Sequence, residues 1–154
     1  MHSAGGLPDG IELRYLAGDD PLMREVLDLC YETLHRPFNV SRSDDWGNLE
    51  PGSYHLVALT DGRVVGYARL LTEVGGGHVR QVAVAETHRR RGIATALLRE
   101  LIARADSLGM ELLYLNARLL AVTLYEGVGF VVTSGVFKMP RTWVDHVRME
   151  LRRR

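Results

Sequence analysis

A single cysteine, Cys30, excludes an internal disulfide and any Cys-cluster zinc site, and no metal is expected. Net charge is missing as well: 19 Lys and Arg balance 19 Asp and Glu, so no global field recruits nucleic acid. Basic character is local, at residues 89–91 and 152–154. No run approaches the roughly eighteen apolar residues of a membrane span, and the first residues lack a basic region followed by an apolar one. The expectation is a cytoplasmic chain that binds neither membrane nor nucleic acid. Neither glycine fingerprint for nucleotides occurs, since both Gly-x-Gly-x-x-Gly and Gly-Lys-Ser/Thr are absent. Internal repeats and low-complexity tracts are absent too.

What remains is a chain of ordinary globular composition, with 46% hydrophobic and 25% charged residues among 154. That length predicts one domain with its own core. Residues 1–10 read as a loose tail and 11–154 as the domain. Alternation predicts a first strand over Ile11–Leu16. Asp19 or Asp20 before Pro21 predicts a helix start, and the helix runs to about His35. Cys30 falls on its apolar side, which suits a buried small residue better than a nucleophile. Residues 36–52 break regular structure with Pro37, Gly47, Pro51 and Gly52, leaving room for a short helix near Ser43–Leu49. Phe38, Trp46, Arg36 and Arg42 make this segment a candidate binding loop, or Phe38 and Trp46 simply plug it onto the core.

Further strands are predicted over Tyr54–Thr60 and Val64–Thr72, joined by an Asp61-Gly62 hairpin turn. After a turn at Gly75-Gly76-Gly77, a fourth strand spans His78–Ala85 and a fifth Glu111–Ala117. A short helix is expected over Leu119–Gly127. Strands over Phe130–Val136 and Val144–Leu151 close the sheet.

The stretch from Gln81 to Leu98 organises the rest. A Val-Ala-Val run leads into Arg89-Arg90-Arg91-Gly92, and from Ile93 the apolar period becomes helical: Ile93, Leu97, Leu98, Leu101, Ala105. The first turn of a helix offers backbone N–H groups without intrahelical partners and a partial positive charge. Gly92 lets an anion approach, small Ala94 keeps the next turn clear, and arginines add forked donors. The loop reads as a pyrophosphate cradle.

Arg-x-x-Gly-x-Ala after a Val-Ala-Val strand resembles the acyl-CoA-binding motif of the GCN5-related N-acetyltransferase (GNAT) superfamily. About thirty residues on, Leu124-Tyr125-Glu126-Gly127-Val128-Gly129-Phe130 resembles its Tyr-x-x-x-Gly-Phe signature. The resemblance covers Val64–Leu151, and more loosely everything from Ile11. Leu115-Asn-Ala-Arg118 and His146-Val-Arg-Met149 are similar to an uncharacterised bacterial subgroup.

This resemblance implies an α/β (α+β) fold: a mixed, mostly antiparallel sheet of six to seven strands, helices on both faces, and a splay between the fourth and fifth strands. It implies an N-acetyltransferase that moves the acetyl group of acetyl-CoA to a primary amine of a small molecule or peptide, by direct attack in a ternary complex. A non-catalytic acyl-CoA-binding or sensing module is the alternative. The pantetheine arm would pair with the backbone of Val82, Ala83 and Val84. The diphosphate would rest on Arg89, Arg90, Arg91, Gly92, Ile93, Ala94 and Thr95. A backbone N–H, that of Val82, would bind the developing oxyanion.

Tyr125 is the candidate acid for the departing thiolate, its structural alternative being an aromatic anchor. His78 is the candidate base, its alternative an exposed strand-start residue; His55 and His146 are further candidates. Relatives carry an asparagine where this chain has Arg118, and Asn116 is its expected substitute. Alternation puts His78, Arg80, Val82 and Val84 on one face, so Arg80, with Arg36 and Phe38, is assigned to the acceptor. Pairing of C-terminal strands would give a homodimer.

Overall fold

The Asp61-Gly62 turn sets the register of the first half of the sheet. Both residues adopt positive φ, 50° and 76°, as a two-residue hairpin that follows the right-handed strand twist requires. The computed structural model describes residues 7–40, 52–140 and 142–153. The expected short helix near Ser43–Leu49, with Arg42 and Trp46, lies outside them.

Among the described residues the hairpin joins β2 (Ser53–Thr60) to β3 (Arg63–Glu73), with β1 (Glu12–Leu16) on the outer side of β2. β4 (Gly76–Val84) returns antiparallel to β3, and the long α2 (Ile93–Ser107) crosses over to β5 (Leu112–Arg118). β8 (Asp145–Arg152) lies on the far side of β5 and pairs with two short strands, β6 (Val131–Val132) and β7 (Phe137–Lys138). The sheet therefore has eight strands rather than six or seven. The expected strand over Phe130–Val136 is interrupted where Ser134 turns inward, its hydroxyl accepting from the Arg148 N–H.

Among the described residues every pairing is antiparallel except that of β4 with β5. Parallel neighbours need a crossover connection, which α2 supplies. The pairing is short: Gly76 with Leu112, Gly77 with Leu113 and His78 with Tyr114, after which the strands part. Gly76 and Gly77 are buried strand residues here, and of the turn expected over all three only Gly75 remains, at φ 79°. The reason is contact: a Cβ on Gly76 would sit 2.1 Å from the Leu112 carbonyl oxygen.

Beyond His78 the strand is irregular. Arg69 of β3 faces Arg80, but Tyr67 faces Ala83, so one extra residue is inserted, and Gln81 there has φ 57°. A one-residue insertion reverses which face later side chains occupy. His78 and Arg80 consequently share a face with Ala83, while Val82 and Val84 lie on the opposite one. The expected single file of His78, Arg80, Val82 and Val84 is corrected by this bulge.

The sheet carries α2 on one face and α1 (Met23–Cys30) on the other. Ile93, Leu97, Leu98 and Leu101 pack on Leu56, Ala58, Leu70 and Val79, and continue into Leu115, Tyr125, Phe130 and Met149. Burial of each Leu, Ile, Val, Met or Phe in this set contributes about 1.5–3 kcal/mol. Across the sheet Val26, Leu29 and Cys30 pack on Val57, Tyr67 and Ala83. Burial pushes the Cys30 thiol up to about 12, which leaves it protonated and unreactive.

The expected aspartate cap is displaced: the Asp20 carboxylate accepts the Leu22 N–H at 2.8 Å in the turn before α1, while Leu22 is the N-cap and no side chain caps the helix. The α-helix ends at Cys30, earlier than expected. The chain continues through a π-helical turn, Tyr31–His35, and a 3₁₀ turn, Arg36–Phe38. Thr33 donates its hydroxyl to the Leu29 carbonyl at 2.8 Å, and Pro37 cannot extend an α-helical ladder. A third helix, α3 (Val122–Glu126), carries Tyr125. No helix among the described residues is long and apolar enough to cross a membrane.

Candidate functional site

Where β4 and β5 part, a cleft of about 1400 Å³ passes through the sheet. That exceeds the usual range of about 300–1,000 Å³ for small-molecule pockets, and suits a long ligand together with a second reactant.

One mouth opens at the start of α2. Gly92 is its N-cap with φ 82°, and no side chain caps the helix. The first intrahelical bond runs from the Ala96 N–H to the Gly92 carbonyl, leaving the N–H groups of Ile93, Ala94 and Thr95 free of helical partners. Nothing lies within 4 Å of where a Gly92 Cβ would be, so the backbone conformation, not space, demands glycine there. Arg90 is also left-handed, at φ 64°. Arg89, Arg90, Gly92, Ile93, Ala94 and Thr95 line the cleft, whereas Arg91 does not: it is exposed outside it.

The strand edge leading to this mouth is available. The Ala85 N–H bonds to Val65 on β3, so by alternation the peptide groups of Val84 and Val82 point away from β3 into the split. Arg89 Nε already donates to the Val84 carbonyl at 3.1 Å. A carbonyl oxygen has two lone pairs and can accept a second donor.

Inside the cleft stands Tyr125. Its ring packs edge-on against Phe130 with centroids 6.1 Å apart, and the side chain is only 9% exposed while lining the cavity. It is thus an anchor and a cleft residue at once. Burial pushes its phenol up to about 12, against a weaker downward pull from Arg118. The group stays protonated across the physiological range, as a proton donor must.

The second mouth, on the α1 side, is built from scattered segments. His78 and Arg80 come from β4, Asn116 and Arg118 from β5, His146 from β8 and Phe38 from the turn after α1. The Arg118 guanidinium lies 4.4 Å above the Phe38 ring. His78 is not the exposed strand-start residue considered above. It stacks on Tyr114 with centroids 4.2 Å apart. Burial, with Arg80, Arg69 and Arg148 nearby, pulls its imidazole down to about 4. Its Nδ1 lies 3.9 Å from Glu73, beyond a hydrogen bond, and Glu73 instead accepts from the Tyr114 hydroxyl at 3.0 Å.

His146 differs. Its Nδ1 lies 2.8 Å from the Val144 carbonyl, which can only accept, so Nδ1 is the donor in that contact and the neutral tautomer that fits it leaves Nε2 as the acceptor. His55, by contrast, is buried against the Tyr67 hydroxyl at 2.8 Å and does not reach the cleft.

Arg36 departs from its expected place: it is exposed, bound to Glu32 at 2.7 Å, and does not line the cleft. A side chain one turn along the same helical segment captures it. Arg118, a departure from the motif in the sequence, lines the cleft, and so does Gln81, which no motif marks and whose buried Oε1 lacks a partner among the described residues. Only the bulge, which no residue pattern announces, places Gln81 at the split. No group of three or more His, Cys, Asp or Glu that could hold a metal occurs among the described residues.

An uncapped helix start, a parted β4–β5 pair and a buried tyrosine agree with the family that the two motifs resemble. The family model described as "Acetyltransferase (GNAT) family" matches residues 21–130. This chain belongs to the GNAT acetyltransferase family. Among its relatives, the uncharacterised N-acetyltransferase YjcF of Bacillus subtilis is 25% identical over 119 residues, covering 77% of this chain and 85% of YjcF. An N-alpha-acetyltransferase of Sulfurisphaera tokodaii is 39% identical over 90 residues, but the match spans 48% of this chain and only 54% of that protein. Among solved structures, a GNAT family acetyltransferase from Elizabethkingia anophelis superposes with a TM-score of 0.69 at 16% identity, covering 94% of this chain and 99% of the other. At that identity the GNAT likeness is one of fold.

Proposed function

We propose that this GNAT chain transfers the acetyl group of acetyl-CoA to a primary amine by direct attack in a ternary complex. The observation that carries the reading is the through-sheet split, with free helical N–H groups at one mouth and the Tyr125 phenol inside. The Elizabethkingia protein was crystallised with acetyl-CoA bound, and its fold is shared.

In this reading the diphosphate rests on the N–H groups of Ile93 to Thr95 and the guanidiniums of Arg89 and Arg90. The pantetheine amides pair with the peptide groups of Val82 and Val84, and the Val82 N–H binds the developing oxyanion. Asn116 lies on the opposite wall. A neutral amine entering from the α1 side attacks the thioester carbonyl, forming the C–N bond. As the C–S bond breaks, Tyr125 protonates or hydrogen-bonds the departing thiolate.

The amine proton passes to a base or to water. His78 stays neutral at pH 7, but with its pKa near 4 it is a weak base. His146, whose Nδ1 is engaged by the Val144 carbonyl, turns Nε2 to the same cleft as a second candidate acceptor.

The test is thermal unfolding with acetyl-CoA, CoA and ATP, followed by acetyl transfer. A ligand at a hundredfold excess over Kd stabilises by about 2.7 kcal/mol. Acetyl-CoA should raise Tm well beyond ATP, and Tyr125→Phe should keep that rise while losing at least about tenfold in kcat. No rise with either CoA species would remove the enzyme reading. Unchanged kcat in Tyr125→Phe would remove Tyr125 from the chemistry.

A further inference from the structure

The charges lining the cleft are unequal, and the imbalance continues past the part assigned to the coenzyme. Among the described residues four arginines line it, Arg80, Arg89, Arg90 and Arg118, against one carboxylate, Asp145. Asp145 is already held by Lys138 at 2.8 Å. Arg89 and Arg90 belong to the mouth at α2. Arg80 and Arg118 stand at the other mouth, where the second reactant enters.

Neither of these two is neutralised. Arg80 makes no hydrogen bond or ion pair among the described residues, and Arg118 meets only the face of Phe38 and the field of Tyr125. Arg80 also lies directly opposite Arg69 on β3, a like-charge cross-strand pair that costs stability by itself. Arg69 is buried and engaged within the fold, so Arg80 is the member left facing the cleft. The nearby carboxylates are committed elsewhere: Glu73 accepts from Tyr114, and Glu150 binds Arg148 at 2.9 Å.

From this arrangement we infer that the acceptor is an amine that also carries a carboxylate, of the amino-acid class, and that Arg80 is the residue that binds the carboxylate. The inference rests on the acetyltransferase reading above and narrows its acceptor. A guanidinium on the strand that borders the reacting centre can take a carboxylate through two parallel N–H···O bonds, which orients as well as holds it. The same positive surroundings disfavour an ammonium ion, so they lower the acceptor's pKa and raise the fraction of neutral, nucleophilic amine. A polycationic acceptor gains from neither effect. Phe38, stacked under Arg118, offers an apolar surface to the acceptor side chain.

The experiment compares matched acceptors that differ only in the anion: each standard amino acid with a primary amine and no side-chain carboxylate against its decarboxylated amine, with spermidine as the polycation. Wild type, Arg80→Gln and Arg80→Lys are assayed by thiol release and product mass. Acetyl-CoA binding is measured in parallel by thermal shift. At least one carboxylated amine should exceed its decarboxylated partner by about tenfold or more in kcat/KM, the scale of a lost charge-assisted hydrogen bond. Arg80→Gln should erase that preference through KM, Arg80→Lys should restore part of it, and both should keep the acetyl-CoA shift.

Turnover confined to amines without an anion would overturn the inference, as would no turnover of any carboxylated amine while acetyl-CoA still binds. Equal losses for both members of a pair in Arg80→Gln would also overturn it. Absence of the acetyl-CoA shift in wild type would instead sink the acetyltransferase reading itself.

Discussion

The two mouths of the split are built in opposite ways. The one at α2 is a single continuous segment, residues 82–95, whose ligands are largely backbone groups freed by a helix start. The one on the α1 side draws side chains from β4, β5, β8 and the turn after α1, which are far apart along the chain. The first can be maintained by a glycine and a helical period. The second exists only when the sheet has assembled in the right register. A coenzyme shared across a family suits the first construction, and an acceptor that differs between members suits the second.

The sharpest way to break the comparison is Gly92→Asp. Aspartate tolerates left-handed backbone better than most residues, yet it places a carboxylate where the diphosphate is expected. Acetyl-CoA binding should weaken by roughly a hundredfold or more, erasing the thermal shift of about 2.7 kcal/mol, while the protein stays folded. Retention of the shift would mean the α2 mouth does not hold the coenzyme.

Next in size is Gly76→Ala, which touches the hinge between the two constructions. Its methyl group must displace the Leu112 carbonyl, from which it would sit 2.1 Å away. Overpacking of this kind costs about 1–3 kcal/mol, or several degrees of Tm in a domain of this size. Both mouths should suffer together, since both depend on where β4 and β5 part. A variant as stable as wild type would show that the junction tolerates widening.

A smaller effect separates the histidines. Since His78 has its pKa lowered from about 6.5 to about 4, the unfolded chain takes up a proton that the native state refuses. The stabilisation is complete above pH 6.5 and fades as pH falls towards 4, with a slope well below the one-proton limit of about 1.4 kcal/mol per pH unit because the ring is partly exposed. His78→Gln should flatten that acid slope of stability. In kinetics, a His78 base predicts that kcat/KM declines only near pH 4; a decline at higher pH takes His78 out of the role of base.

Smallest of all, Arg36→Ala should change acetyl transfer by less than about twofold, because its contact is an exposed pair one turn away. A large loss would bring Arg36 back to the acceptor side and blur the distinction between the two mouths.

These differences also explain what could be read in advance. The helix start at Gly92, α2 itself and the β2–β3 hairpin follow from local chemistry, and their boundaries match the structure to within a residue or two. The bulge at Gln81 does not. It depends on how β4 lies against β3, and it moves Val82 and Val84 to the face opposite His78 and Arg80. Gly76 and Gly77 looked like turn residues because glycine serves both turns and close approaches, and only the position of β5 tells them apart. Arg36 looked available because an i,i+4 partner, Glu32, competes for it on a helical segment longer than the α-helix proper.

By itself the sequence determined the order of strands and helices, the helix start that can receive an anion, and membership in the GNAT family. Each of these depends on interactions within a few residues of chain. Tertiary structure alone decided that β4 and β5 part after His78, that burial pulls His78 down and pushes Tyr125 up, and that Arg80 and Arg118 face one cleft. Burial, register and the field of distant charges are sums over neighbours that meet only when the sheet closes.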